Sequence, residues 1–149
     1  MASGNVEKFI LVCVTGVASK NWGPNGAGND FDGYNAFRDE LRNDILPYLR
    51  ANFNIGITRD YVALAGLSMG GVQTFNIGIA ECLDLISNFA GFSGSLIIGV
   101  DVNEFIANID ANKKNTFFKI HNLYMICGDV DTMVYNTSSF YMLSPISRS

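Results

Sequence analysis

Residues 65–71 read Ala65-Gly66-Leu67-Ser68-Met69-Gly70-Gly71, a G-x-S-x-G pattern set between two segments of different periodicity. Upstream, Tyr61 to Gly66 (YVALAG) is a short apolar run of the kind that forms a buried parallel strand. Downstream, Val72, Phe75, Ile79, Cys82 and Leu83 recur at helical spacing and predict a helix from about Gly70 to Leu83. A serine between strand and helix in this pattern sits in a strained turn, which calls for small residues two before and two after it. Gly66 and Gly70 answer that call. The turn lifts the Ser68 hydroxyl above the strand end, and the helix that follows points its leading amides at the same place. Ser68 is therefore the candidate nucleophile, and the Met69 N–H the candidate oxyanion donor.

The alternation continues on both sides of this turn. Lys8 to Thr15 (KFILVCVT) is a continuous, β-branched apolar run, predicting a strand covered on both faces. Gly16 to Gly33 follows as a long loop with five glycines and Pro24. Phe37, Leu41, Ile45, Tyr48, Leu49 and Phe53 then build one helical face, with Pro47 predicting a kink or two shorter helices. Ile86 to Phe92 and Leu123 to Cys127 (LYMIC) predict two more buried strands. Helices are expected over 102–112 and from Thr132 towards Leu143. Strands alternating with helices give an α/β fold: a parallel sheet with flanking helices and right-handed crossovers, one domain over residues 1–149.

Composition narrows the function classes. Of 149 residues, 48% are hydrophobic and 16% charged, which excludes intrinsic disorder. No stretch approaches the roughly 18 unbroken apolar residues of a spanning helix, so the positive mean hydropathy of +0.19 is assigned to buried strands and no membrane partner is expected. Ten basic against 14 acidic residues give a net charge of -4 with no basic cluster, so nucleic acid is not an expected partner. Cys13, Cys82 and Cys127 form no C-x-x-C pair, and with one histidine they supply no metal site at any usual spacing. All three read as buried free thiols. No metal or organic cofactor is expected. The opening Met1-Ala2-Ser3-Gly4 lacks the basic and apolar regions of a signal peptide.

An elbow serine needs a base, and an acid to orient that base. Asp129 and Asp131 both follow the LYMIC strand, at the carboxyl edge where catalytic groups of open parallel sheets gather. The residues alone leave the choice between them open. His121 is the only histidine and precedes that strand. Six residues of strand separate it from Cys127, about 20 Å at ~3.3 Å per residue, so it belongs to the wrong end of the sheet.

Asp32-Gly33-Tyr34 leads into the helix through Ile45-Leu46-Pro47-Tyr48-Leu49. Thr58-Arg59-Asp60, the elbow, Gln73-Thr74-Phe75-Asn76-Ile77-Gly78, and Cys127-Gly128 with Asp131 follow. On these residues the chain resembles the feruloyl esterases of carbohydrate esterase family one, relatives of esterase D and the bacterial mycolyltransferases. The similarity covers most of residues 8 to 135. It implies an α/β-hydrolase fold and hydrolysis of hydroxycinnamate esters, chiefly ferulate on arabinoxylan, by a secreted enzyme. The family's elbow serine falls on Ser68, and its acid, in a Cys-Gly-x-x-Asp pattern, falls on Asp131.

The same resemblance implies that this chain is part of a larger domain. The family histidine lies in a Gly-Gly-His-type loop roughly 30 residues beyond the acid, while 18 residues follow Asp131 here. The second oxyanion amide comes from a His-Gly loop that would precede Met1, although the residues alone would allow Gly16 and Val17. The Gly16 to Gly33 loop is then expected to border the cleft, with Trp22 and Tyr34 as aromatic contacts or plain loop anchors. A non-catalytic binding module, an acyltransferase or a peptidase of the same fold share these features.

Overall fold

The computed structural model describes residues 7–17, 31–56, 58–94, 118–132, 134 and 135. Its centre is a three-stranded parallel sheet in the order β1 (Ala63–Leu67), β2 (Asn88–Phe92), β3 (Asn122–Ile126). The ladders run in simple register, with Ala63, Asn88 and Asn122 on the first rung and Leu67, Phe92 and Ile126 on the last. All three strands lie within two residues of their expected positions. The expected helices over 102–112 and after residue 135 lie outside the described residues.

Between β1 and β2 the chain climbs a helix, α4 (Met69–Gln73), that continues as a wider π-helical segment, Thr74–Ile79. Within it, Thr74 Oγ1 donates to the Gly70 carbonyl at 2.9 Å, sharing that acceptor with the Thr74 N–H, and Asn76 Nδ2 donates to the Val72 carbonyl at 2.8 Å, so both side chains are satisfied within the helix. The helix is buried nearly all round because it lies between two layers. On one side is the sheet face of Leu64, Phe89, Leu123 and Met125, where Gly91 leaves room for the Phe75 ring. On the other is α2 (Phe37–Glu40), reached through Phe37 and Leu41.

The first helical stretch is continuous but not uniform. After α1 (Phe31–Asn35) and α2 comes a π-helical segment, Leu41–Ile45, and then α3 (Leu46–Asn52). Pro47 is the reason. It lacks an N–H and crowds the carbonyl four residues before it, and the wide turn, in which the Leu46 N–H reaches the Leu41 carbonyl, accommodates the ring. Ile45 still packs against the core and Leu46 is buried beside it, while Tyr48 and Phe53 point outward, edge to face with centroids 6.4 Å apart. The expected apolar face therefore holds through Ile45 and fails at Tyr48 and Phe53. Arg38 binds Glu81 at 2.7 Å, and Arg42 holds Asp84 in a two-point contact at 2.6 and 2.8 Å, fastening this layer to the end of the long helix.

Two expectations are corrected. Lys8 to Thr15 forms no ladder with the described strands, and its apolar side chains are exposed, Leu11 at 76%. An apolar β-branched run shows that a segment can be a buried strand but not which edge it takes, and this run joins neither β1 nor β3. Among the described residues it is anchored at its end, where Gly16 turns at φ 70° and its carbonyl accepts from Gln73 Nε2. Among the cysteines only Cys82 is buried, where desolvation pushes its thiol up to about 11. Cys13 is exposed with the run that carries it, and Cys127 is half-buried at the end of β3.

The amino end of the sheet is held by Arg59. Its guanidinium donates to the carbonyls of Leu83 (2.6 Å), Ile86 (3.0 Å) and Lys119 (2.7 Å) and lies 5.9 Å from the Phe118 ring centre. One side chain thus joins the segments leading into β1, β2 and β3. Arg59→Met, which keeps the stem and removes every donor, is expected to lower stability by about 2–4 kcal/mol in urea unfolding, because three carbonyls lose charge-assisted bonds. Arg59→Lys should recover only part of that loss, since an ammonium lacks the planar fork.

Candidate active site

The carboxyl edge of the sheet is built by hydrogen bonds that extend the ladders one residue past each strand. The Ser68 N–H donates to the Phe92 carbonyl at 2.9 Å, and the Ser93 N–H donates to the Ile126 carbonyl at 2.8 Å. Ser68 holds φ 54° and ψ -114°, a conformation that costs a non-glycine residue on the order of 1–3 kcal/mol. Ser93 is also in positive φ, at 46°. The backbone around Ser68 therefore has the geometry expected of an elbow: an extended strand, one strained residue, and a helix leaving at once.

The glycines divide the steric work unevenly. A Cβ on Gly66 would overlap the carbonyl group of Gly70, so the tight approach is real on that side. A Cβ on Gly70 itself would meet nothing within 4 Å, which corrects the expectation that both positions must be small. The second demanding position is Gly71, where a Cβ would lie 2.8 Å from the Gly94 Cα and 3.0 Å from the Phe92 carbonyl oxygen. There the first turn of α4 packs backbone to backbone against the end of β2.

The leading amides of α4 have no carbonyl ahead of them in the helix. The Ser68 carbonyl accepts from the Val72 N–H at 2.9 Å, and the Met69 carbonyl accepts from the Tyr34 hydroxyl at 3.0 Å. Tyr34 is thus a core anchor, 5% exposed, and not an exposed contact on a cleft wall. Burial pushes its ionisation well above the ordinary tyrosine range, so the hydroxyl keeps the proton it donates. Trp22 lies outside the described residues. Gln73 ties the arrangement together, its side-chain amide donating to the carbonyls of Tyr34 (3.1 Å) and Gly16. Sequence reasoning overlooked Gln73, although an amide on an otherwise apolar buried helix was a usable signal.

Asp131 and Asp129 follow β3 at the same edge. Asp131 is half-buried and opens a helical turn, its carbonyl accepting from the Tyr135 N–H at 2.9 Å, while Asp129 is exposed. Ser68 directly follows β1, and Asp131 comes after β3 by way of Cys127 to Val130; two strand spacings, about 10 Å, separate the ends of those strands. His121 is at the far end. It immediately precedes β3, its N–H donates to the Ser87 carbonyl at 2.8 Å, and its ring lies 3.5 Å from Asp60. Among the described residues no group of His, Cys, Asp and Glu could hold a metal ion, and no helix is long and apolar enough to cross a membrane.

No protein-family model matches the chain. Among solved structures, it superposes on one described as FAE, a feruloyl esterase, with a TM-score of 0.60 and 18% identity, covering 75% of this chain. The likeness establishes a distant fold relationship. This chain spans only 44% of the length of that one.

The contrast between the two glycines is directly testable. Gly66→Ala is expected to cost about 1–3 kcal/mol by overpacking against the elbow backbone. Gly70→Ala, with open space and helical backbone, should be neutral or stabilising by up to ~1 kcal/mol. Thermal or urea unfolding of the two variants separates them.

Proposed function

We propose that this chain is the nucleophile-bearing part of an α/β-hydrolase-type serine esterase, acting on carboxylic esters of the hydroxycinnamate class. The observation that carries the reading is Ser68 itself: a non-glycine residue at φ 54° and ψ -114°, directly between a parallel strand and a helix. The fold likeness to a feruloyl esterase supports it, and the substrate class rests on the resemblance set out above. Secretion and a polysaccharide-linked substrate rest on that resemblance alone.

In this mechanism Ser68 Oγ attacks the ester carbonyl, and the Met69 N–H, heading α4, donates to the developing oxyanion. The tetrahedral intermediate expels the alcohol and leaves an acyl group on Ser68, which water then releases as the acid. Asp131 has the position of the group that orients an imidazole base and balances its charge as it takes the serine proton. His121 is not that base, because a strand length separates it from Ser68 and its own backbone is fixed at the amino end. Without a histidine beside Ser68, turnover falls on the order of 10⁶-fold in a hydrolase of this kind. A non-catalytic module that binds the same aromatic acids is favoured by that one observation and is the second reading.

The test supplies the base from solution. With imidazole present, a fluorophosphonate probe should add covalently to Ser68, detected by mass on the peptide containing it. Ser68→Ala should abolish the adduct, and Asp131→Asn should slow its formation. Methyl ferulate hydrolysis by the chain alone should be negligible. Failure of Ser68 to react under any imidazole concentration, with ferulate still binding, would establish the binding-module reading. Ferulate turnover without imidazole that vanishes in Ser68→Ala would show that another base acts.

A further inference from the structure

Three consecutive peptide groups surround Ser68, and almost every polar atom in them is committed. The Ser68 N–H is held by the Phe92 carbonyl, the Ser68 carbonyl by the Val72 N–H, and the Met69 carbonyl by the Tyr34 hydroxyl. The Met69 N–H shares its peptide plane with the Ser68 carbonyl, so the Val72 bond sets its direction, and the Tyr34 bond holds the peptide that follows. Tyr34 comes from a distant part of the chain, 35 residues away, and is itself fixed because Gln73 donates to its carbonyl at 3.1 Å. Gln73 is 6% exposed and donates from the same nitrogen to Gly16. A buried amide that joins the elbow helix to two other segments is more than packing requires, since a leucine or methionine would fill the same volume.

We infer that Tyr34 is a positioning residue of the elbow, its hydroxyl holding the Met69–Gly70 peptide and so limiting rotation about Met69, whose N–H heads α4 where an oxyanion forms, with Gln73 as the clasp that holds Tyr34. The inference rests on the esterase reading of Ser68. It replaces a direct contact between Tyr34 and substrate with an indirect role: the ring stays in the core, and only the hydroxyl acts, through Met69. Loss of that hydroxyl releases the peptide after Met69 and leaves the donor held by the Ser68–Val72 bond alone, so Met69 acquires freedom just where catalysis needs it preorganised.

Tyr34→Phe removes the hydroxyl and keeps the ring. With methionine as the only ¹⁵N-labelled residue, the Met69 amide signal (identified by its loss in Met69→Leu) should move in Tyr34→Phe, while that of Met125 in β3 should not. Phosphonylation of Ser68 in imidazole should slow on the order of tenfold. Ile86→Val, a buried change at the amino end of the sheet, serves as the stability control and should leave both readouts unchanged. Gln73→Met, which removes the clasp and leaves Tyr34 intact, should act in the same direction and stands in should Tyr34→Phe not fold. Wild-type phosphonylation rate and an unmoved Met69 signal in Tyr34→Phe would overturn the inference. A wild-type chain that never reacts would instead overturn the esterase reading, and the Met69 signal would still decide whether Tyr34 sets that peptide.

Discussion

The interaction on which the rest depends is the hydrogen bond from the Ser68 N–H to the Phe92 carbonyl, the last rung of the β1–β2 ladder. It is made by a residue whose backbone has already left the strand conformation. The rung keeps Ser68 level with the sheet while its φ and ψ send the chain backward over the strand ends. A residue relaxed to ordinary strand geometry would continue past β2 and carry α4 away from the sheet. Phe75 would then leave the space beneath Gly91, and the core of Val72, Phe75, Ile79 and Phe89 would open. About 1–3 kcal/mol of local strain is outweighed by the burial of several large side chains, each worth roughly 1.5–3 kcal/mol.

The same turn explains why so polar a helix is buried. A helix that leaves a strand end backward must lie close across the sheet, and the contact of Gly71 with Gly94 sets how close. A second layer, α2 and its π-helical continuation, then covers its outer side, so Gln73 and Thr74 have no route to water. Each is satisfied inside. Gln73 donates to the carbonyls of Gly16 and of Tyr34 in α1, while Thr74 and its half-buried neighbour Asn76 donate to carbonyls of their own helix. Burial of these groups without partners would cost on the order of 1–3 kcal/mol apiece, so the polar sequence of this segment is legible only once its neighbours are known.

Much of the fold was legible in the sequence because it is written in local periodicity. β1, β2, β3 and the helix after Ser68 each formed close to where expected, but β1 and β3 are not the buried strands expected: one face is open, with Leu67, Tyr124 and Ile126 exposed. What failed depends on distant partners. Lys8 to Thr15 has the same pattern as β1, yet it joins neither outer edge of the β1–β3 sheet, and no periodicity reports which edge a strand takes. Pro47 announced an irregularity but not its kind, because a kink and a π-helical turn both relieve the missing N–H. In the site, the motif located Ser68 and Met69 correctly on strand end and helix start. For Tyr34 the sequence left open an aromatic contact or a plain anchor; its burial agrees with the anchor, and only the fold shows its hydroxyl reaching Met69.

The parallel sheet also decides which parts of the site are rigid. The ends of β1 and β3, which lead to Ser68 directly and to Asp131 by way of Cys127 to Val130, are separated by β2 alone, and that spacing follows from the ladders. About 10 Å between strand ends is a distance one imidazole can bridge, accepting from the serine and donating to the carboxylate with a ~3 Å hydrogen bond on each side. His121 cannot be recruited to that position by side-chain motion. Its N–H is bonded to Ser87 and the residue after it begins β3, so bringing its ring to Ser68 would unzip β3 from β2 and carry Asp131 away with it. The ladder that puts Asp131 at the same edge as Ser68 is the one that keeps this histidine at the other, so a base for Ser68, on the reading proposed above, approaches from outside the β1–β3 sheet.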